Sequence, residues 1–194
     1  MGYSNVTVFH NHINVKFGLP TVHSTAPLNF EENTAEALQS LVDVINGNSL
    51  NYNVIANKLN VNGHAEGIVV GGNLSILYSL LGTDSDIDYS DKILFFEEIG
   101  EAVYAVDRML LALKKAGKLK SLKGVIVGGM TSMKDSAVPY GKTVEEVIHE
   151  HVEPLNIPLC FDFPAGHIKD NRAIILGKEA GLAVAADGVE FKKA

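Results

Sequence analysis

The chain has 194 residues, 46% hydrophobic and 20% charged, the composition of a globular protein with apolar mass for a real core. Its 16 Lys and Arg against 23 Asp and Glu leave a formal charge of −7, the wrong sign for a nucleic-acid partner. The one cysteine, Cys160, excludes an internal disulfide framework or multi-thiolate metal centre, and no apolar run reaches the ~20 residues of a membrane span. The opening MGYSNVTVFHNH lacks the basic and apolar regions of a signal peptide, so a cytoplasmic location is expected.

Positions 6–17 suit a helix, because Val6, Phe9, Ile13 and Phe17 fall on one face. Gly18-Leu19-Pro20 ends it, and a short extended piece follows at 21–23. Residues 33–46 read as a second helix capped by Asn33 or Thr34, with Leu38, Leu41, Val42 and Ile45 as its apolar stripe. The Asn-rich, alternating stretch 51–64 reads as edge strands. Then the texture changes. Residues 66–70 are a buried strand, Gly71-Gly72-Asn73 a tight turn, and 74–81 a helix. The run KILFF (92–96) is a buried strand ending on two carboxylates, and 102–116 a helix with Val106, Met109, Leu110 and Leu113 inward. A strand at 124–127, a helix at 144–152 and a strand at 159–161 follow. Short strands at 172–176, 182–185 and 189–191 close the chain, with Asp187-Gly188 as a hairpin turn. Alternating strands and helices that give way to hairpins predict an α/β fold with a mixed sheet.

Three segments carry residues suited to chemistry. Ser4 stands just before a helix, where a serine is either an N-cap or an exposed nucleophile whose neighbouring N–H points at an oxyanion. The second glycine of a G-x-S-x-G elbow is missing, which disfavours an ordinary α/β-hydrolase. Glu97 and Glu98 end an apolar strand, where a carboxylate is either a solvated loop charge or the orienter of a histidine. His167, in Phe163-Pro164-Ala165-Gly166-His167, sits in rigid backbone that favours a positioned side chain. The other histidines form no ligand spacing. His10 and His12 are two apart, as are His149 and His151, and Glu145 shares a face with His149 without a further ligand, so no metal is expected. Gly71-Gly72-Asn73-Leu74-Ser75 puts N–H groups at a helix start, which suits a carboxylate or phosphate. It lacks the Walker lysine and the third Rossmann glycine.

Taken in order, GYSN, GGNLSILYSLLGT, KILFFEEIGEAVYAVDRMLLALKKAGKL and FPAGH resemble the LD-carboxypeptidase family, over essentially the whole chain. That family includes cytoplasmic murein tetrapeptide carboxypeptidases and relatives that inactivate microcin C. The resemblance implies a serine carboxypeptidase with a Ser-Glu-His triad, without a cofactor. On this sequence the triad falls on Ser4, Glu97 and His167, with Glu98 the next-best acid. It implies a small peptide substrate with a terminal D-amino acid, and a homodimer. Asn5, beside the nucleophile, with Gly72 and Asn73 at the glycine turn, are the expected substrate-binding residues.

Two departures stand out. The family's Asp after the nucleophile is Asn5 here, and its HGP reads His23-Ser24-Thr25. In the family, further strands and helices precede the nucleophile. The resemblance therefore implies an N-terminally truncated member, with residues 1–50 the end of a Rossmann-like nucleophile domain plus linker and residues 51–194 the mixed-sheet C-terminal domain. The rival expectation is an inactive fragment or a non-catalytic binding protein.

Overall fold

The Val-, Ile- and Phe-rich runs in the middle of the chain become the centre of the sheet in the computed structural model, which describes residues 1–193. A 3-10 turn at Ser4–Val6 leads into α1 (Thr7–Phe17), followed by β1 (Thr21–His23), α2 (Ala35–Ile45) and β2 (Asn51–Val54). Next come β3 (Gly63–Asn73), α3 (Leu74–Ser79), β4 (Lys92–Ile99), α4 (Val103–Lys115), β5 (Gly124–Thr131) and α5 (Val144–Val152). The chain finishes with β6 (Leu159–Cys160), β7 (Ile174–Leu176), β8 (Glu179–Ala185) and β9 (Gly188–Lys193).

Seven strands form one sheet in the order β2-β9-β8-β3-β4-β5-β6. β3 to β6 run parallel, joined through helices, whereas β8, β9 and β2 add antiparallel. The fold is therefore mixed α/β, with two of the antiparallel strands, β8 and β9, supplied by the hairpin at the end of the chain and the third, β2, by the segment before β3. Side chains alternate across β4 as a strand requires. Leu94 and Phe96 join the core under α3, α4 and α5, while Ile93 and Phe95 join a second core with Phe163, Ile174 and Phe191.

A small two-stranded sheet, β1 against β7, adjoins that second core and pairs His23 with Ile174. His23 is fully buried, its ring edge-on to Phe95 at 4.8 Å, and neither ring nitrogen has a hydrogen-bond partner among the described residues. Burial, reinforced by the His10 and His167 charges, holds its pKa down at about 3. β1 also brackets the start of the chain. Gly2 donates to the Val22 carbonyl at 3.0 Å, and Ser24 N–H donates to the Gly2 carbonyl at 3.1 Å.

Several local expectations are corrected. α1 buries Thr7, His10 and Asn11 and leaves Phe9 63% and Phe17 65% exposed, the reverse of the predicted apolar face. The cause is the surface beneath it: the end of β3 presents backbone, and backbone must be hydrogen-bonded. Thr7 Oγ1 accepts from Asn73 N–H at 2.9 Å, and His10 Nε2 meets the Gly2 carbonyl at 2.9 Å. Gly71-Gly72-Asn73 is the end of β3 and not a turn. Gly72 has φ +140°, and a Cβ there would overlap the Thr7 hydroxyl, so glycine serves the close approach of α1.

α2 differs in the same way. Ala37 and Ser40 are its buried residues, while Val42 and Ile45 of the predicted stripe are exposed. Ser40 Oγ donates to the Ala37 carbonyl at 2.6 Å and accepts from Ala173 N–H at 2.8 Å, fastening the helix to the segment that enters β7. The last hairpin turns at 186–187, one residue earlier than the sequence reading, since Ala185 pairs with Gly188.

Two predictions follow from these packing facts. Ser40→Ala strands the buried Ala173 N–H and should cost about 1–3 kcal/mol, read as a lower urea midpoint at unchanged slope. The folded His23 resists protonation down to about 3, whereas an unfolded histidine titrates near 6.5. Between those values the unfolded chain binds the extra proton, so stability present above 6.5 is lost as pH falls through the window. Thermal unfolding between about pH 7 and 5 should show Tm falling with acid, and falling less in His23→Gln.

Candidate active site

The period-2 geometry of β4 decides where its two carboxylates go. Glu97 continues the Ile93–Phe95 side, and Glu98 the Leu94–Phe96 side. Both are buried, Glu97 completely. Glu98 Oε2 accepts from Ser75 N–H at 2.7 Å, and its Oε1 accepts from Asn73 Nδ2 at 3.0 Å and from Ile99 N–H at 2.8 Å. Glu98 thus satisfies the first turn of α3 and is spent on structure.

Glu97 meets His167. Its Oε2 lies 2.6 Å from His167 Nδ1 and accepts from the His167 backbone N–H at 3.2 Å. Its Oε1 is buried without a partner among the described residues. The backbone of the 163–167 loop makes this approach possible. Phe163 N–H donates to the Val127 carbonyl at 3.1 Å, and Gly129 N–H to the Ala165 carbonyl at 2.9 Å. β5 extends through Gly128 and Gly129 to Thr131, past the predicted end at 127, and its register against β4 shifts between Phe96 and Glu98. Gly166 has φ +107°, and a Cβ on it would sit 2.7 Å from Glu97 Cβ, so only glycine fits between the loop and the acid. Asn171 Oδ1 accepts from Gly166 N–H at 2.8 Å, and the His167 carbonyl accepts from Thr131 Oγ1 at 3.2 Å. Asn171 and Thr131 carried no signal in the sequence, because their role is to hold backbone.

Ser4 has φ +61°, a left-handed conformation that strains a non-glycine residue and marks a sharp entry into a helix. Its neighbour Tyr3 packs its ring edge-on to His167 at 4.8 Å and donates its hydroxyl to Asn29 Oδ1 at 3.0 Å. The Ser4 turn thereby stands beside the histidine, although no hydrogen bond joins Ser4 to His167 among the described residues. Asn5 is exposed next to Ser4. A cleft of about 450 Å³ opens here between Tyr3, Asn29, Thr131 and His167.

The glycine segment is not an open anion site. Asn73 N–H is taken by Thr7, Ser75 N–H by Glu98 and Ile76 N–H by Asn73 Oδ1, and Gly72 and Asn73 are buried. Of the residues expected to bind substrate, Gly72 is covered by α1 and Asn73 serves as the cap of α3. The remaining histidines diverge. His12 Nδ1 contacts Ser85 Oγ at 2.9 Å, and His151 Nε2 meets Asp107 Oδ1 at 2.6 Å, away from Glu145. Among the described residues no group of three or more His, Cys, Asp or Glu side chains could hold a metal ion. Among the same residues no helix is long and apolar enough to cross a membrane.

Comparison with known proteins sets this geometry in a family. The sequence model of the LD-carboxypeptidase C-terminal domain matches residues 66–182. A probable murein peptide carboxypeptidase of Bacillus subtilis (strain 168) is 31% identical over 189 residues, covering 95% of this chain and 59% of that protein. The murein tetrapeptide carboxypeptidase of Pseudomonas aeruginosa is 30% identical over 200 residues, covering 94% of this chain and 62% of the relative. The chain thus spans about three-fifths of the length of these relatives. The crystal structure of muramoyltetrapeptide carboxypeptidase from Oxalobacter formigenes superposes with a TM-score of 0.88 at 27% identity, over 100% of this chain and 67% of that one. With its mixed sheet, its buried Glu97–His167 pair and a domain match over more than half its length, the chain belongs to the LD-carboxypeptidase family.

Proposed function

We propose that the chain is a serine carboxypeptidase that cleaves the bond before a terminal D-amino acid in small cell-wall-derived peptides. The observation that carries this reading is the 2.6 Å contact between His167 Nδ1 and the fully buried Glu97, beside a serine turn at φ +61°. With Nδ1–H donated to Glu97, His167 Nε2 is the ring nitrogen left to take the Ser4 proton. Ser4 Oγ then attacks the carbonyl of the scissile amide, and the backbone N–H of Asn5 faces the developing oxyanion. The imidazolium returns its proton to the leaving D-amino acid. Water resolves the acyl-enzyme by the same path in reverse. Glu97 keeps the tautomer and steadies the charged ring, the task for which a buried, histidine-bonded carboxylate is suited.

In this reading residues 1–50 bring the nucleophile and residues 51–194 the acid and base, so the reaction takes place where the two parts meet. The cytoplasm is the proposed location and a homodimer the proposed state, which light scattering on the purified chain checks. A second reading, a non-catalytic binding protein, draws on the exposed Phe9 and Phe17, an apolar surface that suits association more than catalysis.

Hydrolysis of an L,D-tetrapeptide ending in D-alanine separates the two. Ser4→Ala should abolish turnover, and Glu97→Gln should lower it by about 10³–10⁴-fold through the wrong imidazole tautomer. Glu98→Gln should act through stability, seen as a lower Tm. A chelator should leave the rate unchanged. Full turnover in Ser4→Ala would overturn the serine assignment, and a chain that binds the peptide without cleaving it would establish the non-catalytic reading.

A further inference from the structure

An enzyme that removes only a terminal residue must sense the free carboxylate next to the bond it cuts. The chain as a whole repels such a group, with a net charge of −7. The cleft beside His167 adds Glu32 to its rim, and Glu97 lies buried behind. A cation in the cleft offsets that repulsion, and among the described residues its lining contains one, Lys169. Lys169 is exposed and forms no ion pair among the described residues. The next basic residue, Arg172, is already committed: its Nε and Nη2 reach Asp170 Oδ1 and Oδ2 at 2.9 and 2.8 Å.

The backbone at 169 is fixed as well. The Lys169 carbonyl accepts from Thr34 N–H at 3.1 Å and from Asn33 Nδ2 at 2.9 Å, tying this residue to the segment that begins α2. It lies two residues beyond His167, and Ile168 N–H donates to the Gly166 carbonyl at 2.8 Å to hold the intervening turn. Lys169 thus joins an anchored backbone to an exposed side chain that forms no ion pair among the described residues. Glu32, also in the lining, adds negative charge to the cleft, which leaves Lys169 as the lining group with a formal positive charge.

We propose that Lys169 is the receptor for the terminal carboxylate of the substrate and the residue that makes this site specific for a chain end. The assignment rests on the carboxypeptidase reading above. It predicts that the site discriminates a peptide acid from the same peptide capped as an amide, through one charge-assisted contact.

The test is binding of an L,D-tetrapeptide ending in D-alanine, as free acid and as C-terminal amide, to the full chain carrying Ser4→Ala, by calorimetry. The acid should bind about tenfold more tightly than the amide, with the gap narrowing as salt rises. Adding Lys169→Ala should bring the acid down to the level of the amide, Lys169→Arg should restore the gap, and Lys120→Ala, an exposed lysine elsewhere, should leave it in place. Equal binding of acid and amide, or a gap that survives Lys169→Ala, overturns the proposal. Turnover with Ser4 intact keeps the two assignments separate. A Lys169-dependent gap in a chain whose hydrolysis ignores Ser4 preserves the anchor and removes the serine. A Ser4-dependent hydrolysis with no such gap does the opposite.

Discussion

The two-residue repeat of a single strand organises this protein. Along β4 the side chains of Ile93, Phe95 and Glu97 go one way and those of Leu94, Phe96 and Glu98 the other. Two adjacent glutamates, identical in chemistry, thus enter different environments. One meets an imidazole, and the other meets the unsatisfied amides that begin a helix. A carboxylate is tolerated inside a protein only where its charge is answered, and each of these has its own answer. The cores on the two sides of the sheet hold this arrangement, since a slip of one residue would exchange the side chains of β4 between the two cores and take Glu97 away from His167.

Around Glu97 the structure consists of backbone brought unusually close. Gly166 lies against the acid, Gly129 donates to Ala165, and Asn171 holds Gly166 from behind. The histidine inherits its position from these contacts, and its own side chain adds the bond to Glu97. Ordering such a loop costs the conformational freedom of its own residues, which its hydrogen bonds to β5 and Asn171 offset.

Much of this was legible in the sequence, for reasons that differ between elements. The strand at 92–96 and the helices at 102–116 and 144–152 could be read because their partners are apolar surfaces, for which hydrophobic periodicity is the right measure. The pair Glu97 and His167 emerged from the order of short motifs. α1 was misread because its partner is the polar end of β3, so Thr7, His10 and Asn11 face inward, a preference that counting apolar positions inverts. Gly71-Gly72-Asn73 carries the composition of a turn, yet the same glycines serve a strand that another helix crosses closely. Ser40 carries no signal for a related reason, as its importance lies in one buried amide at Ala173, 133 residues away in sequence.

The inward polar face of α1 has a further consequence. Apolar surfaces slide over one another with little change in energy, whereas hydrogen bonds have one good geometry. By docking through Thr7 to Asn73 and through Asn11 to the Gly71 carbonyl, the helix is indexed on the sheet like a gear on a keyed shaft. Ser4 sits one short turn ahead of that helix, so its distance from the histidine is measured from the end of β3. The placement of a serine near one end of the chain is in this way calibrated by a strand more than sixty residues later, and tolerance to change should be lowest at that joint.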